Sequence, residues 1–148
     1  MASPILFPAI YLLEKIQTKL FMIIVMSQGV WAFQPSVLGG VRGGLALGMM
    51  VEAGALKNAV FRMGLEASTA NNPIILFLGG KFYLTSIGRR IPMSLGLGLV
   101  GYAGKSSEFG LALSFIFDRA FDIKPLFIEA GVDVVGSGKL QAQVGYKL

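Results

Sequence analysis

From Leu45 to the C-terminus, large apolar residues alternate with small or polar residues with a period of two. In residues 45–52, LALGMMVE, one face carries Leu45, Leu47, Met49 and Val51. The same alternation recurs in residues 60–67, 73–86, 93–100, 108–118, 126–134 and 139–148. Strict alternation over eight or more residues is typical of β-strands, because a helix would rotate such a pattern around its axis. The pattern therefore predicts seven strands.

The charged residues of these strands all lie on the face opposite the large aliphatic and phenyl side chains. They are Glu52, Arg62, Glu66, Lys81, Asp118, Glu129, Asp133, Lys139 and Lys147. Their other neighbours on that face are mostly Gly, Ala, Ser and Gln, which are poor strand formers when exposed to water. Small residues fit the scarce interior volume of a narrow closed barrel, whose large apolar residues then face lipid. The pattern favours an antiparallel up-and-down transmembrane β-barrel.

Composition narrows the function classes. Only 14% of the residues are charged, against about 25% in soluble domains, and the chain has no Cys and no His. A disulfide framework and a Cys-based metal site are therefore excluded, and the commonest general base is missing. We expect no enzyme activity and no cofactor. Nucleic-acid binding is disfavoured because the only basic pair is Arg89–Arg90. These two arginines are interpreted as solvated turn charges or as contacts with anionic lipid head groups.

The first 32 residues have the parts of a secretory signal peptide. Lys15 and Lys19 precede the apolar run LFMIIVM at 20–26, and Val30 and Ala32 would stand at the third and first positions before a cleavage site. We expect residues 1–32 to be an export segment and residues 33–148 to be the barrel. The alternative is a membrane-anchoring helix, since residues 1–13 are also apolar.

The last strand carries outward apolar residues at every second position, namely Leu140, Ala142, Val144, Tyr146 and Leu148. This pattern resembles the C-terminal insertion signal of bacterial outer-membrane β-barrel proteins, with leucine in place of the commoner terminal phenylalanine. The whole of residues 33–148 resembles small outer-membrane barrels of the OmpA-like and opacity-protein type. The resemblance implies export to the outer membrane of a Gram-negative-type bacterium. It also implies contact with outer-membrane lipid and recognition of the last strand by the barrel-assembly machinery.

The seven predicted strands are one fewer than a closed barrel of this kind requires. Single-chain bacterial barrels have even numbers of strands, starting at eight. The candidate for the eighth strand is SVLGGV, residues 36–41, turning through residues 42–44 into the strand that begins at Leu45. The alternatives are a truncated barrel, or a barrel that closes by pairing with a second copy as a homo-oligomer.

The inward charged residues determine whether the predicted barrel has an open or a blocked lumen. Isolated charges in a narrow lumen are costly, so we expect these groups to pair into a network that plugs it. That network predicts a small outer-membrane protein with a structural or passive role. The first alternative is a narrow porin with an ion path lined by Arg62, Lys81, Glu66 and Glu129. The second is a secreted soluble lipid- or ligand-binding barrel with the apolar face inward.

Overall fold

A computed structural model describes residues 15–17, residue 19 and residues 33–148. The predicted export segment, residues 1–32, lies outside the described residues apart from Lys15–Gln17 and Lys19, which are helical. No helix within the described ranges is long and apolar enough to cross a bilayer.

Residues 33–148 form one closed antiparallel barrel of eight strands in up-and-down order. The strands are β1 (Phe33–Arg42), β2 (Leu45–Leu56), β3 (Ala59–Ser68), β4 (Ile74–Ile87), β5 (Ile91–Ala103), β6 (Glu108–Asp118), β7 (Leu126–Val134) and β8 (Lys139–Lys147). Each strand pairs with its sequence neighbours, and β1 pairs with β8 from Ser36–Lys147 to Arg42–Gln141. The predicted barrel topology is confirmed, and the barrel closes within one chain.

The eighth strand is β1, as the even strand number requires, but it is longer than the predicted segment 36–41. It begins at Phe33 and includes Arg42, which was predicted to lie in the turn. Arg42 belongs to the strand because its side chain continues the inward positions and forms ion pairs inside the barrel. The turn is therefore reduced to Gly43 and Gly44, and Gly43 adopts a φ of 66°.

The two faces of each strand differ in burial as the alternation predicts. Outward side chains such as Leu47, Leu65 and Leu111 are more than half exposed, whereas the inward charged residues are largely buried. The inward face also holds large apolar side chains among its small and charged residues. They are Leu38, Met50, Ile75, Phe77, Val100, Tyr102, Ile116, Phe127 and Val135.

Inward glycines make room for these large side chains. A Cβ atom at Gly145 would overlap the ring of Phe127, and a Cβ atom at Gly79 or Gly98 would overlap the ring of Phe77. Pairing with aromatic rings therefore explains these three glycines, whereas Gly48, Gly110 and Gly131 lie against the backbone of a neighbouring strand. The interior has native-like packing in which large and small side chains alternate across facing positions.

The two ends of the barrel are built differently. The proximal end, defined by Phe33 and Leu148, carries the turns at 57–58, 88–90 and 119–125. The distal end carries the turns at 43–44, 69–73, 104–107 and 135–138. β4 and β5 are the two longest strands, and both faces of β4 are exposed over residues 82–87. The β4–β5 hairpin therefore projects beyond the barrel wall at the proximal end.

The seam between β1 and β8 generates the first testable prediction. A Cβ atom at Gly40 would overlap the backbone of Ala142 and Gln143 on β8. The substitution Gly40→Ala should therefore lower the free energy of unfolding by about 3 kcal/mol. Urea titration in detergent micelles measures this change.

The matched control for this prediction is the neighbouring substitution Gly39→Ala. A Cβ atom at Gly39 would point outward and lie 3.4 Å from the Leu47 side chain, which is an ordinary contact. We expect this variant to change stability by less than about 0.5 kcal/mol. Equal stability of the two variants would contradict the seam geometry.

Candidate functional site in the barrel interior

The nine charged residues predicted to face the lumen all occupy inward strand positions. Glu52, Arg62, Glu66, Lys81, Glu129 and Asp133 are buried, and Asp118, Lys139 and Lys147 are partly exposed near the two ends. All except Lys139 fall into three groups along the barrel, which we call the distal, middle and proximal clusters.

The distal cluster is centred on Arg42, which lies on β1. Its Nη1 donates to Glu66 Oε1 at 2.6 Å, and its Nε and Nη2 donate to the two carboxylate oxygens of Asp133 at 2.8 and 3.1 Å. The hydroxyl of Tyr102 donates to Asp133, and the amide of Gln143 donates to the second oxygen of Glu66. One guanidinium therefore ties β1 to β3 and β7 across the lumen.

The middle cluster is built around Arg62. Its two terminal nitrogens donate to the carboxylate of Glu129 at 3.1 and 2.7 Å, a bidentate geometry that is among the stronger charged hydrogen bonds. Ser114 Oγ donates to the same carboxylate at 2.6 Å. Arg62 Nε lies 3.2 Å from Glu52 Oε1 but outside hydrogen-bond geometry. This cluster links β3 to β7 at the centre of the barrel.

Phe77 lies close to both buried arginines. The guanidinium carbons of Arg42 and Arg62 are 5.3 and 5.7 Å from the centre of its ring. Both distances are within the range at which a cation is attracted to an aromatic ring. The ring therefore stabilises both cations.

The proximal cluster joins four charged side chains. Lys81 and Lys147 both lie 2.7 Å from carboxylate oxygens of Asp118, and they lie 3.5 and 4.0 Å from Glu52. A cavity of about 300 Å³ opens beside this cluster and is also lined by Lys57 at its rim. Water can therefore enter the proximal end as far as the proximal cluster.

Several interior residues were missed by the sequence analysis. Arg42 was assigned to a turn, although it continues the inward positions Ser36, Leu38 and Gly40. Glu108 forms an ion pair with Lys139 at the distal end, and Lys139 lies 4.1 Å from the ring centre of Tyr102. The alternation along β1 and β5 places Arg42 and Tyr102 at inward positions, so the sequence could have predicted that they face the lumen. It could not predict their partners, which lie on strands across the lumen.

With these additions the interior holds six acidic and five basic side chains. They are Glu52, Glu66, Glu108, Asp118, Glu129 and Asp133 against Arg42, Arg62, Lys81, Lys139 and Lys147. Every one of these carboxylates has a cationic partner. No cluster of three or more potential metal-ligating residues occurs within the part of the chain that the structure describes. Because these charges pair with one another, the arrangement is suited to fill the lumen and to connect strands across it.

The residues of the predicted C-terminal insertion signal lie on the outer face of the barrel. Leu140, Val144, Tyr146 and Leu148 have 47–75% of their surface exposed, and Ala142 is exposed as well. The inner face of the same strand carries Gln141 and Gln143, whose amides join the distal cluster. β8 thus contributes apolar side chains outside and polar side chains inside.

Comparison of the chain with protein-family models, curated proteins and solved structures finds no match.

The distal cluster generates a second prediction. Substituting Arg42→Met removes the cation shared by Glu66 and Asp133 and leaves two buried carboxylates unpaired. We expect the free energy of unfolding in detergent micelles to fall by about 3–5 kcal/mol. Urea titration measures the loss.

Two further variants test whether unpaired charge causes this loss. Arg119→Met, at an exposed turn residue, should change stability by less than about 0.5 kcal/mol. Adding Glu66→Gln and Asp133→Asn to Arg42→Met neutralises the stranded carboxylates and should restore a substantial part of the stability. A triple variant no more stable than Arg42→Met alone would contradict the charge argument.

Proposed function

We propose that this chain is a small integral outer-membrane β-barrel protein with a structural or passive role and a plugged lumen. The observation that carries the proposal is the inside-out distribution of side chains around a closed barrel. Ion pairs, glutamines, aromatic rings and some aliphatic side chains fill the interior, while the exterior is covered by leucine, phenylalanine, methionine and valine side chains and has almost no charge. A soluble barrel would place its apolar face inward and its polar face in water.

The outer apolar surface is too extensive for a protein that works in water. Outward residues of all eight strands contribute to it, for example Val37, Met49, Met63, Leu76 and Leu99. Soluble monomers rarely expose contiguous apolar patches larger than a few hundred Å². The strands are 9–14 residues long, and tilted strands of about 9–11 residues cross a hydrocarbon core. These features support a membrane-spanning barrel over the secreted soluble alternative.

The burial of the middle of the lumen supports a plug over a pore. Arg62 and Asp133 have no surface accessible to water, and Glu129 and Phe77 are only 3% and 5% exposed. An eight-stranded barrel is just wide enough for side chains to fill. The residues proposed to line an ion path are therefore occupied in ion pairs. This favours a closed barrel over the narrow porin.

The proposal extends to export, assembly and partners. Residues 1–32 direct the chain out of the cytoplasm, and the outer face of β8 presents Leu140, Val144, Tyr146 and Leu148 to the barrel-assembly machinery of a Gram-negative-type bacterium. Outer-membrane lipid is the main partner of the folded barrel. A passive role requires no cofactor, no nucleic acid and no catalytic residue.

Membrane insertion gives the third prediction. Residues 33–148, refolded into phosphatidylcholine vesicles, should migrate differently on a denaturing gel before and after boiling, because a closed barrel in a bilayer resists the detergent. The protein should also float with the vesicles in a density gradient. A chain that stays monodisperse and β-rich in buffer without detergent or lipid would overturn the membrane assignment.

Conductance gives the fourth prediction. The refolded protein should insert into a planar bilayer without producing single-channel current steps, because the middle cluster and Phe77 occupy the lumen. An established porin reconstituted by the same procedure is the positive control. Reproducible current steps from the protein would replace the passive role by the narrow-porin alternative.

A further inference from the structure

The turns at the two ends of the barrel differ sharply in charge. The three proximal turns expose five basic side chains, Lys57, Arg89, Arg90, Arg119 and Lys124, and one acidic side chain, Asp122. The four distal turns contain a single charged residue, Lys105. The clusters inside the barrel do not contribute to this asymmetry, because their charges pair with one another.

Exposed apolar side chains lie among the proximal basic residues. Phe121 and Ile123 are 79% and 48% exposed within their turn, and Leu56 and Ile87, the last residues of β2 and β4, are 76% and 48% exposed. The distal turns contain no exposed large hydrophobic side chain, since Val135 is buried. Within the turns, basic and apolar groups are therefore interleaved at the proximal end only, in continuity with the apolar outer face of β4 through Leu84.

The backbone fixes the two turns that carry most of these groups. In the described part of the chain, the four non-glycine residues with positive φ are Arg89, Arg119, Phe121 and Asp122. All four lie in the β4–β5 and β6–β7 turns, which are adjacent because β5 pairs with β6. An ion pair of 3.7 Å between Arg90 and Asp122 connects the two turns. Left-handed conformations are uncommon for Arg and Phe, and backbone hydrogen bonds from Arg90 to Ile87 and from Asp122 to Arg119 hold the two turns in this geometry.

We propose that the proximal end of the barrel binds the head groups of anionic phospholipids through Arg89, Arg90, Arg119 and Lys124, with Phe121 inserted at the level of the acyl-chain boundary. This inference rests on the proposed membrane function. Arginine binds phosphate oxygens through two parallel hydrogen bonds, and aromatic side chains prefer the membrane–water interface. The proximal end presents both kinds of group together.

The apolar residues distinguish this ligand from other anions. An acidic polypeptide would be held by the basic residues alone and would leave Phe121 and Ile123 in water. A bilayer surface satisfies both sets, because its phosphates and its hydrocarbon lie within a few ångströms of each other. The belt of outward apolar residues ends at the basic turns, where the head groups of a surrounding bilayer would lie.

The test uses the barrel folded in phosphocholine detergent micelles and titrated with short-chain phosphatidylglycerol, while nuclear magnetic resonance follows the backbone amides. We expect saturable shifts in the turns at 88–90 and 119–125, and none in the turn at 104–107. Short-chain phosphatidylcholine should produce no comparable shifts. Raising the ionic strength should weaken the binding, because exposed charges are screened by salt.

Matched variants measure the contribution of the basic residues. Each Lys or Arg near an anionic surface contributes an attraction that corresponds to about a fivefold change in affinity. Lys124→Gln should therefore weaken phosphatidylglycerol binding about fivefold, and the double variant Arg89→Gln/Arg90→Gln about 25-fold. Lys105→Gln, which removes an exposed lysine at the distal end, should leave the affinity unchanged. The amide spectrum of each variant shows whether it remains folded.

Several outcomes would overturn the inference. Equal effects of Lys124→Gln and Lys105→Gln would show that net charge, and not this surface, binds the lipid. Shifts produced by polyglutamate but not by phosphatidylglycerol would assign the surface to an acidic polypeptide. Insertion into neutral phosphatidylcholine vesicles tests the proposed membrane function separately, so a barrel that inserts there without selecting phosphatidylglycerol would remove only the inference about the proximal end.

Discussion

The pairing of buried charges across the lumen is the constraint on which the rest of the structure depends. A buried carboxylate or guanidinium is costly unless another charge and additional hydrogen bonds satisfy it. Arg42 on β1 meets Glu66 on β3 and Asp133 on β7, and Arg62 on β3 meets Glu129 on β7. These contacts join strands that are not neighbours in the sheet, so they brace the barrel across its interior.

This bracing also specifies the register of the strands. Because side chains alternate between faces, a slip of one residue would move every charge of a strand to the apolar exterior. A slip of two residues would keep the faces but separate Arg62 from Glu129. The difference in hydrophobicity between the two faces determines which face of a strand points inward. The ion pairs determine which inward residues lie opposite each other.

The sequence was sufficient to predict the face of most strand residues after Leu45, and insufficient to predict which inward residues meet. Alternation by two indicates the face within each strand, and the even strand number required the additional strand before Leu45. Arg42 was misassigned because the glycines at 39–40 and 43–44 obscured where β1 ends. Contacts across the lumen depend on the stagger between strands, which is altered by irregularities near Gly54 and Tyr83. Periodicity carries no information about that stagger.

The turns at the two ends of the barrel make different kinds of contact. At the distal end, the side chain of Asn72 donates to the carbonyl of Ser106 and accepts from its amide at 3.1 Å, so two neighbouring turns are tied together. Lys139 and Glu108 add an ion pair between β8 and β6 at the same end. The proximal turns instead direct their side chains outward, beside a cavity that admits water to Asp118 and Lys147. The exposed charged side chains outside the barrel interior are therefore concentrated in the proximal turns.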